Sequence, residues 1–146
     1  MPRKTVHDLV KTAKENIEEL SVAELQDEIS SGSCTVVDIR DFRERLLDGT
    51  IPNSLSAPSG MVEWWFDPES PYHKEGFELD GRFVLFCSLG WRSALATALL
   101  QDLGFRNVAH LTSGFTGWVE ASGEVETVTS GGNGSVHVIR LLLQWN

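Results

Sequence analysis

The residues best suited to covalent chemistry stand in one short segment, between a buried apolar run and a helix-forming stretch. The segment is Cys87-Ser88-Leu89-Gly90-Trp91-Arg92. A cysteine at the end of a strand, facing a loop that leads directly into a helix, lies where unpaired backbone N–H groups and the helix dipole stabilise an anion. A thiolate is a strong nucleophile, so this position predicts nucleophilic chemistry at Cys87. Gly90 allows the backbone to turn back over the sulfur.

The same residues also have structural interpretations. A free cysteine is often a buried structural residue, and Cys34, just before a strand, is interpreted in that way. For Cys87 the neighbouring Gly90 and Arg92 favour the nucleophile, because a merely buried thiol needs neither. Arg92 either binds a substrate anion or fixes the loop through hydrogen bonds to carbonyl groups.

Composition excludes several classes of protein. The chain has 146 residues, enough for one compact domain, and a net charge of −9 from 12 basic and 21 acidic residues, which disfavours nucleic acid as a partner. No stretch approaches the roughly 18 apolar residues that a membrane span needs. Two cysteines and four scattered histidines predict neither a disulfide framework nor a metal site. The N-terminus has no apolar core segment or cleavage site, and we therefore expect a cytoplasmic protein.

The first half of the chain alternates between helix and strand patterns. Apolar residues spaced by three and four predict an amphipathic helix over 5–20. Ser21-Val22-Ala23-Glu24 is a capping box for a second helix that ends at Gly32. Uniformly apolar runs at 35–39 and 82–86 are typical of strands buried on two faces, and they predict the centre of a parallel sheet.

The pattern continues after the cysteine loop. Good helix formers fill 93–103, and Gly104 is placed to end that helix. Residues 107–111 predict a third strand, and Ser113 is a candidate cap for a last helix that carries Trp118.

The segment between Asp48 and Asp80 is predicted to be a long loop, because its four prolines forbid a long regular element. It holds an aromatic cluster that includes Trp64 and Trp65. These two side chains either form a wall of a substrate pocket or cover the core.

The order of several short motifs resembles the rhodanese domains, over roughly 21–125. In chain order the motifs are Asp38-Ile39-Arg40 with Glu44, Gly49-Thr50-Ile51-Pro52, the loop from Cys87 to Ser93, and Leu111-Thr112-Ser113-Gly114-Phe115-Thr116-Gly117-Trp118. Thr50 stands where the family usually has His, and Ser113-Gly114 where two glycines are frequent. Each motif is short, but their order and spacing together are specific.

The resemblance implies a three-layer α/β fold, with a central parallel β-sheet and helices on both faces. We expect the rhodanese-like domain to occupy 21–128. An N-terminal amphipathic helix in 1–20 would pack on that domain. The segment 129–146 would be a flexible or accessory C-terminal tail, for example an oligomerisation strand.

The resemblance also implies sulfur transfer without a cofactor. Cys87 would hold a sulfur atom as a persulfide, beneath the amides of Ser88 to Arg92, and pass it from a donor such as thiosulfate to a thiol or cyanide. Phosphatases of the same fold use a loop one residue longer than the four residues between Cys87 and Arg92, so the loop favours sulfur over phosphate. Asp38, Arg40 and Glu44 would support the site. Asp41 and Glu44 also have capping-box spacing, which predicts the start of a helix after the strand, and we interpret Arg40 as a structural ion-pair partner.

Two other functions compete with sulfur transfer. The first is a non-catalytic or regulatory module that docks a protein through the aromatic loop and the acidic surface. The second is a cysteine phosphatase or an arsenate reductase. If the protein is a sulfurtransferase, the bulky Leu89 and Trp91 favour an apolar or protein-bound donor, such as a protein persulfide.

Overall fold

The computed structural model describes the backbone of residues 2–130 and 136–141, and the side chains of residues 2–130. In this part of the chain a five-stranded sheet is followed by a two-stranded antiparallel sheet. The helices are α1 (Val6–Asn16), α2 (Val22–Ser31), α3 (Phe42–Asp48), α4 (Val62–Phe66), α5 (Trp91–Asp102) and α6 (Gly114–Glu120). The strands are β1 (Glu18–Leu20), β2 (Thr35–Asp38), β3 (Leu55–Ser56), β4 (Phe83–Phe86), β5 (Val108–Leu111), β6 (Val125–Ser130) and β7 (Val136–Leu141).

The main sheet is parallel throughout, in the order β1-β5-β4-β2-β3. Successive side chains of a strand point to opposite faces, and β4 shows how both faces are covered. Phe83 and Leu85 pack in a core with residues of α4 and α5. Val84 and Phe86 pack in a second core with residues of α2 and α6. This arrangement explains the uniformly apolar strands and confirms the predicted three-layer α/β fold.

The predicted first helix is too long. α1 ends at Asn16, Ile17 is extended with φ −121°, and residues 18–20 form β1 beside β5. Leu20 is buried in the sheet rather than on a helix stripe. Apolar residues three positions apart fit a helix. The pairing with a strand some 90 residues away is a tertiary contact that local spacing does not encode.

Two of the predicted helix starts are confirmed in detail. Ser21 and Glu24 form a reciprocal capping box at α2, which ends at Gly32 in the left-handed region. Asp41 and Glu44 form another at α3. These hydrogen bonds satisfy N–H groups that a helix cannot pair internally. Because they join residues only three positions apart, they can be predicted from the sequence.

A buried carboxylate joins the end of β2 to its neighbours. Arg40 Nε and Nη2 donate to the two oxygens of Asp38 at 3.0 and 2.9 Å, and Nη2 also donates to the Gly49 carbonyl at 2.7 Å. Both side chains are fully buried. The Arg40 guanidinium carbon lies 4.4 Å from the Phe115 ring centroid, which links the pair to α6.

The same carboxylate holds the chain after α3. Oδ2 of Asp38 accepts hydrogen bonds from Thr50 Oγ1 at 2.8 Å and from Arg45 Nη1 at 3.2 Å. Thr50, which stands where the resembling family usually has His, is thus a buried donor to Asp38. The backbone of Thr50 also pairs with that of Glu126 at the start of β6.

The ends of the chain extend the sheets. α1 packs against α5 through Val10, Ala13 and Ala94, and β1 adds a strand to the main sheet. β6 pairs antiparallel with β7, so the position 128/129 falls inside a strand. The rest of the predicted tail, 131–135 and 142–146, lies outside the described residues. None of the described helices has the length and apolar character to cross a membrane.

We expect Asp38→Asn to lower the free energy of unfolding by about 3–5 kcal/mol, because it removes the charge of the buried carboxylate that two buried guanidinium groups share. Urea unfolding measures the loss. The exposed Asp80 provides a matched control, and Asp80→Asn should change stability by no more than about 0.5 kcal/mol. Similar effects of the two substitutions would contradict the structural role given to Asp38.

Candidate active site

Cys87 follows the last residue of β4, and its sulfur lies at the N-terminus of α5. The sulfur accepts hydrogen bonds from the backbone N–H groups of Gly90 at 3.2 Å and of Ser93 at 3.4 Å. α5 is 12 residues long, so the positive end of its dipole is directed at the sulfur. Cys87 is only 1% exposed, and it also belongs to the core cluster on that face of the sheet. The structure therefore combines the anion-stabilising position with burial.

The start of α6 holds the loop in place. The N–H groups of Phe115 and Thr116 donate to the carbonyls of Cys87 at 2.7 Å and of Ser88 at 3.0 Å. Gly114 has φ +65°, and a Cβ there would overlap the Ser88 carbonyl oxygen. A glycine is therefore required for this close approach.

The predicted cap of α6 is wrong in its mechanism. Ser113 occupies the N-cap position, but its side chain makes no capping hydrogen bond. The first N–H groups of α6 instead bind carbonyls of the cysteine loop, a tertiary contact that replaces the cap. Gly90 approaches the same region from the loop, since a Cβ on it would overlap the Thr112 carbonyl oxygen.

Arg92 is held by Glu44 of α3. Nη1 lies 2.9 Å from one oxygen of Glu44 and Nη2 lies 3.0 Å from the other, while Nη2 also donates to Ser88 Oγ at 3.2 Å. The hydrogen bonds from Arg92 lower the pKa of Glu44 to about 2, so the carboxylate stays charged at any ordinary assay pH. Arg92 thus fixes the loop through a carboxylate, and its positive charge is balanced.

The other predicted support residues lie beneath the loop. Asp38 and Arg40 contact each other and the neighbouring backbone, and their hydrogen bonds do not reach the Cys87 sulfur. A cavity of about 240 Å³ opens beside Ser88, with Arg40 and Phe115 among its lining residues. Asp38 and Arg40 therefore lie where they stabilise the backbone around the loop.

The mouth of the loop is apolar. Leu89 and Trp91 are each 50% exposed. The ring of His7, at the start of α1, packs edge-on against Trp91 with centroids 5.4 Å apart. The N-terminal segment therefore borders the candidate site.

The two tryptophans predicted as a pocket wall lie on α4. The Trp64 ring packs edge-on against Tyr72, and Lys74 Nζ lies 3.5 Å from the centroid of Trp65. Trp65 also packs against the core cluster. These ring contacts are with residues of the segment that follows α4 rather than with the cysteine loop.

Sequence reasoning missed three side chains behind the sulfur. Ser93 Oγ lies 3.5 Å from Cys87 Sγ and 2.9 Å from Nδ1 of His110, a fully buried residue of β5. Nε2 of His110 lies 2.9 Å from Oε2 of Glu19 on β1. The available signal was a single titratable residue within an otherwise apolar strand.

These features agree with a family comparison. A model of the rhodanese-like domain matches residues 21–121, and the chain belongs to that family. Glu19, with the rest of β1 and α1, lies outside the matched residues.

Three proteins that are similar to this chain carry different functional names. A Rhodopseudomonas palustris protein of unknown function, whose name includes "possible tyrosine phosphatase", is 42% identical, with a TM-score of 0.81 over 86% of this chain and 99% of that one. A human single-domain sulfurtransferase is 29% identical, with a TM-score of 0.62 over 70% of this chain and 95% of that one. The tRNA uridine(34) hydroxylase of Ehrlichia ruminantium is 25% identical over 103 residues, which are 70% of this chain and 38% of that protein. Family and neighbours together support a sulfurtransferase-type function.

We expect Gly114→Ala to destabilise the protein more than Gly32→Ala. Both glycines have nearly the same positive φ, but a Cβ at Gly32 meets open space. Gly32→Ala should cost about 1 kcal/mol for the left-handed backbone, and Gly114→Ala about 1–3 kcal/mol more for the overlap with Ser88. Urea unfolding gives both values, and equal losses would show that the loop does not depend on this close approach.

Proposed function

We propose that the protein is a sulfurtransferase and that Cys87 carries the transferred sulfur as a persulfide. The observation that carries the proposal is the Cys87 sulfur at the N-terminus of α5, with two backbone N–H groups directed at it. These donors stabilise the thiolate before transfer, and they stabilise the same thiolate as the leaving group afterwards. The family assignment and the human single-domain sulfurtransferase support the same chemistry.

The two half-reactions balance without a cofactor. With thiosulfate, the Cys87 thiolate attacks the outer sulfur, the bond between the two thiosulfate sulfurs breaks, and sulfite leaves with its electron pair. The product is a cysteine persulfide. A thiolate or cyanide then attacks the terminal sulfur of the persulfide, forming an acceptor persulfide or thiocyanate and releasing the Cys87 thiolate.

The loop suits a sulfur atom better than a larger anion. We propose that the amides of residues 88–92 surround the outer sulfur of the persulfide. Because Cys87 is 1% exposed, the donor must deliver its sulfur through the mouth of the loop, between the half-exposed Leu89 and Trp91. These apolar side chains favour a donor with apolar surface, such as a persulfide on another protein.

The charge at the loop also favours a persulfide donor over thiosulfate. Glu44 occupies both ends of the Arg92 guanidinium, so a dianionic donor such as thiosulfate must compete with a carboxylate. A protein persulfide carries less charge at its sulfur and meets less repulsion. We therefore propose a protein or low-molecular-weight persulfide as the preferred donor and a thiol as the acceptor.

The R. palustris neighbour makes phosphatase chemistry the second candidate, because its name includes "possible tyrosine phosphatase". The four-residue spacing between Cys87 and Arg92, and the pairing of Arg92 with Glu44, weigh against phosphate. RNA is not our proposed substrate despite the tRNA-hydroxylating relative, since the net charge of −9 opposes contact with phosphates. Two free cysteines suit a reducing compartment, and we propose the cytoplasm.

Incubation with a persulfide donor or with thiosulfate should raise the intact mass by about one sulfur atom, and dithiothreitol should reverse the gain. Cys87→Ser should abolish it, whereas Cys34→Ser should leave it unchanged. Mass spectrometry of the three proteins is the test. No gain with any donor, together with hydrolysis of an aryl phosphate, would support the phosphatase instead; the absence of both would support the binding module.

Glu44→Gln should lower the KM for thiosulfate by up to about fivefold, the effect of an exposed charge interaction worth ~1 kcal/mol. Glutamine can keep the capping box at α3 while it removes the charge that opposes the anion. The initial rate of sulfur uptake against thiosulfate concentration gives the KM. Glu75→Gln, at an exposed position, is the matched control. An unchanged KM would show that Arg92 takes no part in donor binding.

A further inference from the structure

A row of hydrogen-bonding side chains runs from the cysteine sulfur to the protein surface. Cys87 Sγ lies 3.5 Å from Ser93 Oγ, which lies 2.9 Å from Nδ1 of His110. On the other side of the imidazole ring, Nε2 of His110 lies 2.9 Å from Glu19 Oε2. Ser93 and His110 are fully buried, whereas the Glu19 side chain is 32% exposed. The row therefore leads from a buried thiol to a partly exposed carboxylate on β1, the edge strand of the main sheet.

The charged groups around His110 fix the direction of its hydrogen bonds. Glu19 of β1 faces Nε2, and Lys14 of α1 lies 3.9 Å from the same carboxylate. Burial raises the pKa of Glu19, but the hydrogen bonds from His110 and Thr112 outweigh this and leave the pKa below its ordinary value. An ionised carboxylate only accepts hydrogen bonds, so Nε2 carries a hydrogen and donates it to Glu19.

The donor and acceptor roles of His110 Nδ1 and Ser93 follow from this assignment. Burial lowers the pKa of His110 below its ordinary value, so the ring is neutral at pH 7 and Nδ1 is an acceptor. The Ser93 hydroxyl can donate to Nδ1, which leaves its oxygen to accept from the thiol of Cys87. On the sulfur side, the cation of the cysteine loop, Arg92, is paired with Glu44. In the resting state each group thus donates a hydrogen bond to the next one, from the Cys87 thiol to the Glu19 carboxylate.

We propose that Ser93 and His110 carry the thiol proton of Cys87 away from the loop, with His110 as its acceptor. This inference deepens the proposed function, because sulfur transfer begins from the thiolate. The thiol gives its proton to Ser93 Oγ as the Ser93 hydroxyl proton passes to His110 Nδ1. The products are a thiolate, a neutral serine whose hydroxyl donates to the sulfur, and an imidazolium that faces the Glu19 carboxylate. No charge is created overall, and the reverse transfer restores the thiol.

His110 is thus a positioning residue and proton acceptor that acts through Ser93, rather than a group that touches the substrate. A purely structural alternative exists, since His110 also joins β5 to β1 and α5. The two roles differ in one observable. A structural histidine affects thermal stability, whereas a proton acceptor also affects how the reactivity of Cys87 depends on pH.

The test is the rate of alkylation of Cys87 by chloroacetamide, a small uncharged reagent, between about pH 5.5 and 9.5. The parent protein carries Cys34→Ser, so that intact mass follows a single thiol. Ser93→Ala keeps the backbone N–H that binds the sulfur and removes only the hydroxyl. His110→Asn offers an amide near the place of Nδ1 but cannot take up a proton. Thr97→Val is the matched control, because it removes a buried hydroxyl of α5 that has no hydrogen-bond partner among the described residues.

We expect Ser93→Ala and His110→Asn each to slow alkylation at pH 7 by at least about tenfold and to move the midpoint of the profile up by about one pH unit. Ser93→Thr should restore the parent profile, and Thr97→Val should retain it. Profiles that coincide with the parent, with changes only in melting temperature, would overturn the proposal. Alkylation needs no sulfur donor, so a failure of persulfide formation would count against the proposed function and not against this relay.

Discussion

The buried Asp38 carboxylate holds together the elements that surround the cysteine loop. A buried anion must be neutralised and fully hydrogen-bonded, and here Arg40, Arg45 and Thr50 meet that need. Arg40 follows β2, Arg45 lies on α3 and Thr50 lies after α3. Because separating any of them from Asp38 would leave a buried polar group without its partner, these contacts hold β2, α3 and the following loop together. Arg40 also stacks on Phe115 and so fixes the start of α6.

The position of α6 in turn determines the shape of the cysteine loop. Its first N–H groups bind the carbonyls of Cys87 and Ser88, and Gly114 allows the two backbones to meet. α3 contributes Glu44 to the other side of the loop. The sulfur is consequently bound by backbone N–H groups of a loop that α6 and the Arg92–Glu44 pair hold in place. Under the proposed function, a donor must therefore reach the buried sulfur through the mouth of the loop.

Much of the fold was predictable because it follows from local rules. The capping boxes at Ser21 and Asp41, the apolar strands and the glycine after α2 each act within a few residues, and each was found where the pattern predicted it. Local rules failed where a distant partner took over a local role. Residues 18–20 pair with β5 instead of continuing a helix, and the first N–H groups of α6 bind the cysteine loop instead of the side chain of Ser113.

For the site, the strand, loop and helix around Cys87 were predictable from the sequence, because strand, turn and helix signals are contiguous there. The pairing of Arg92 with Glu44, and the contacts that lead from Ser93 through His110 to Glu19, became visible only in the folded chain. Those partners are separated by up to 91 positions in the chain, and the parallel pairing of β1 with β5 brings the last two together. Spacing along a sequence carries no record of such strand order, which is fixed by the packing of both faces of the sheet.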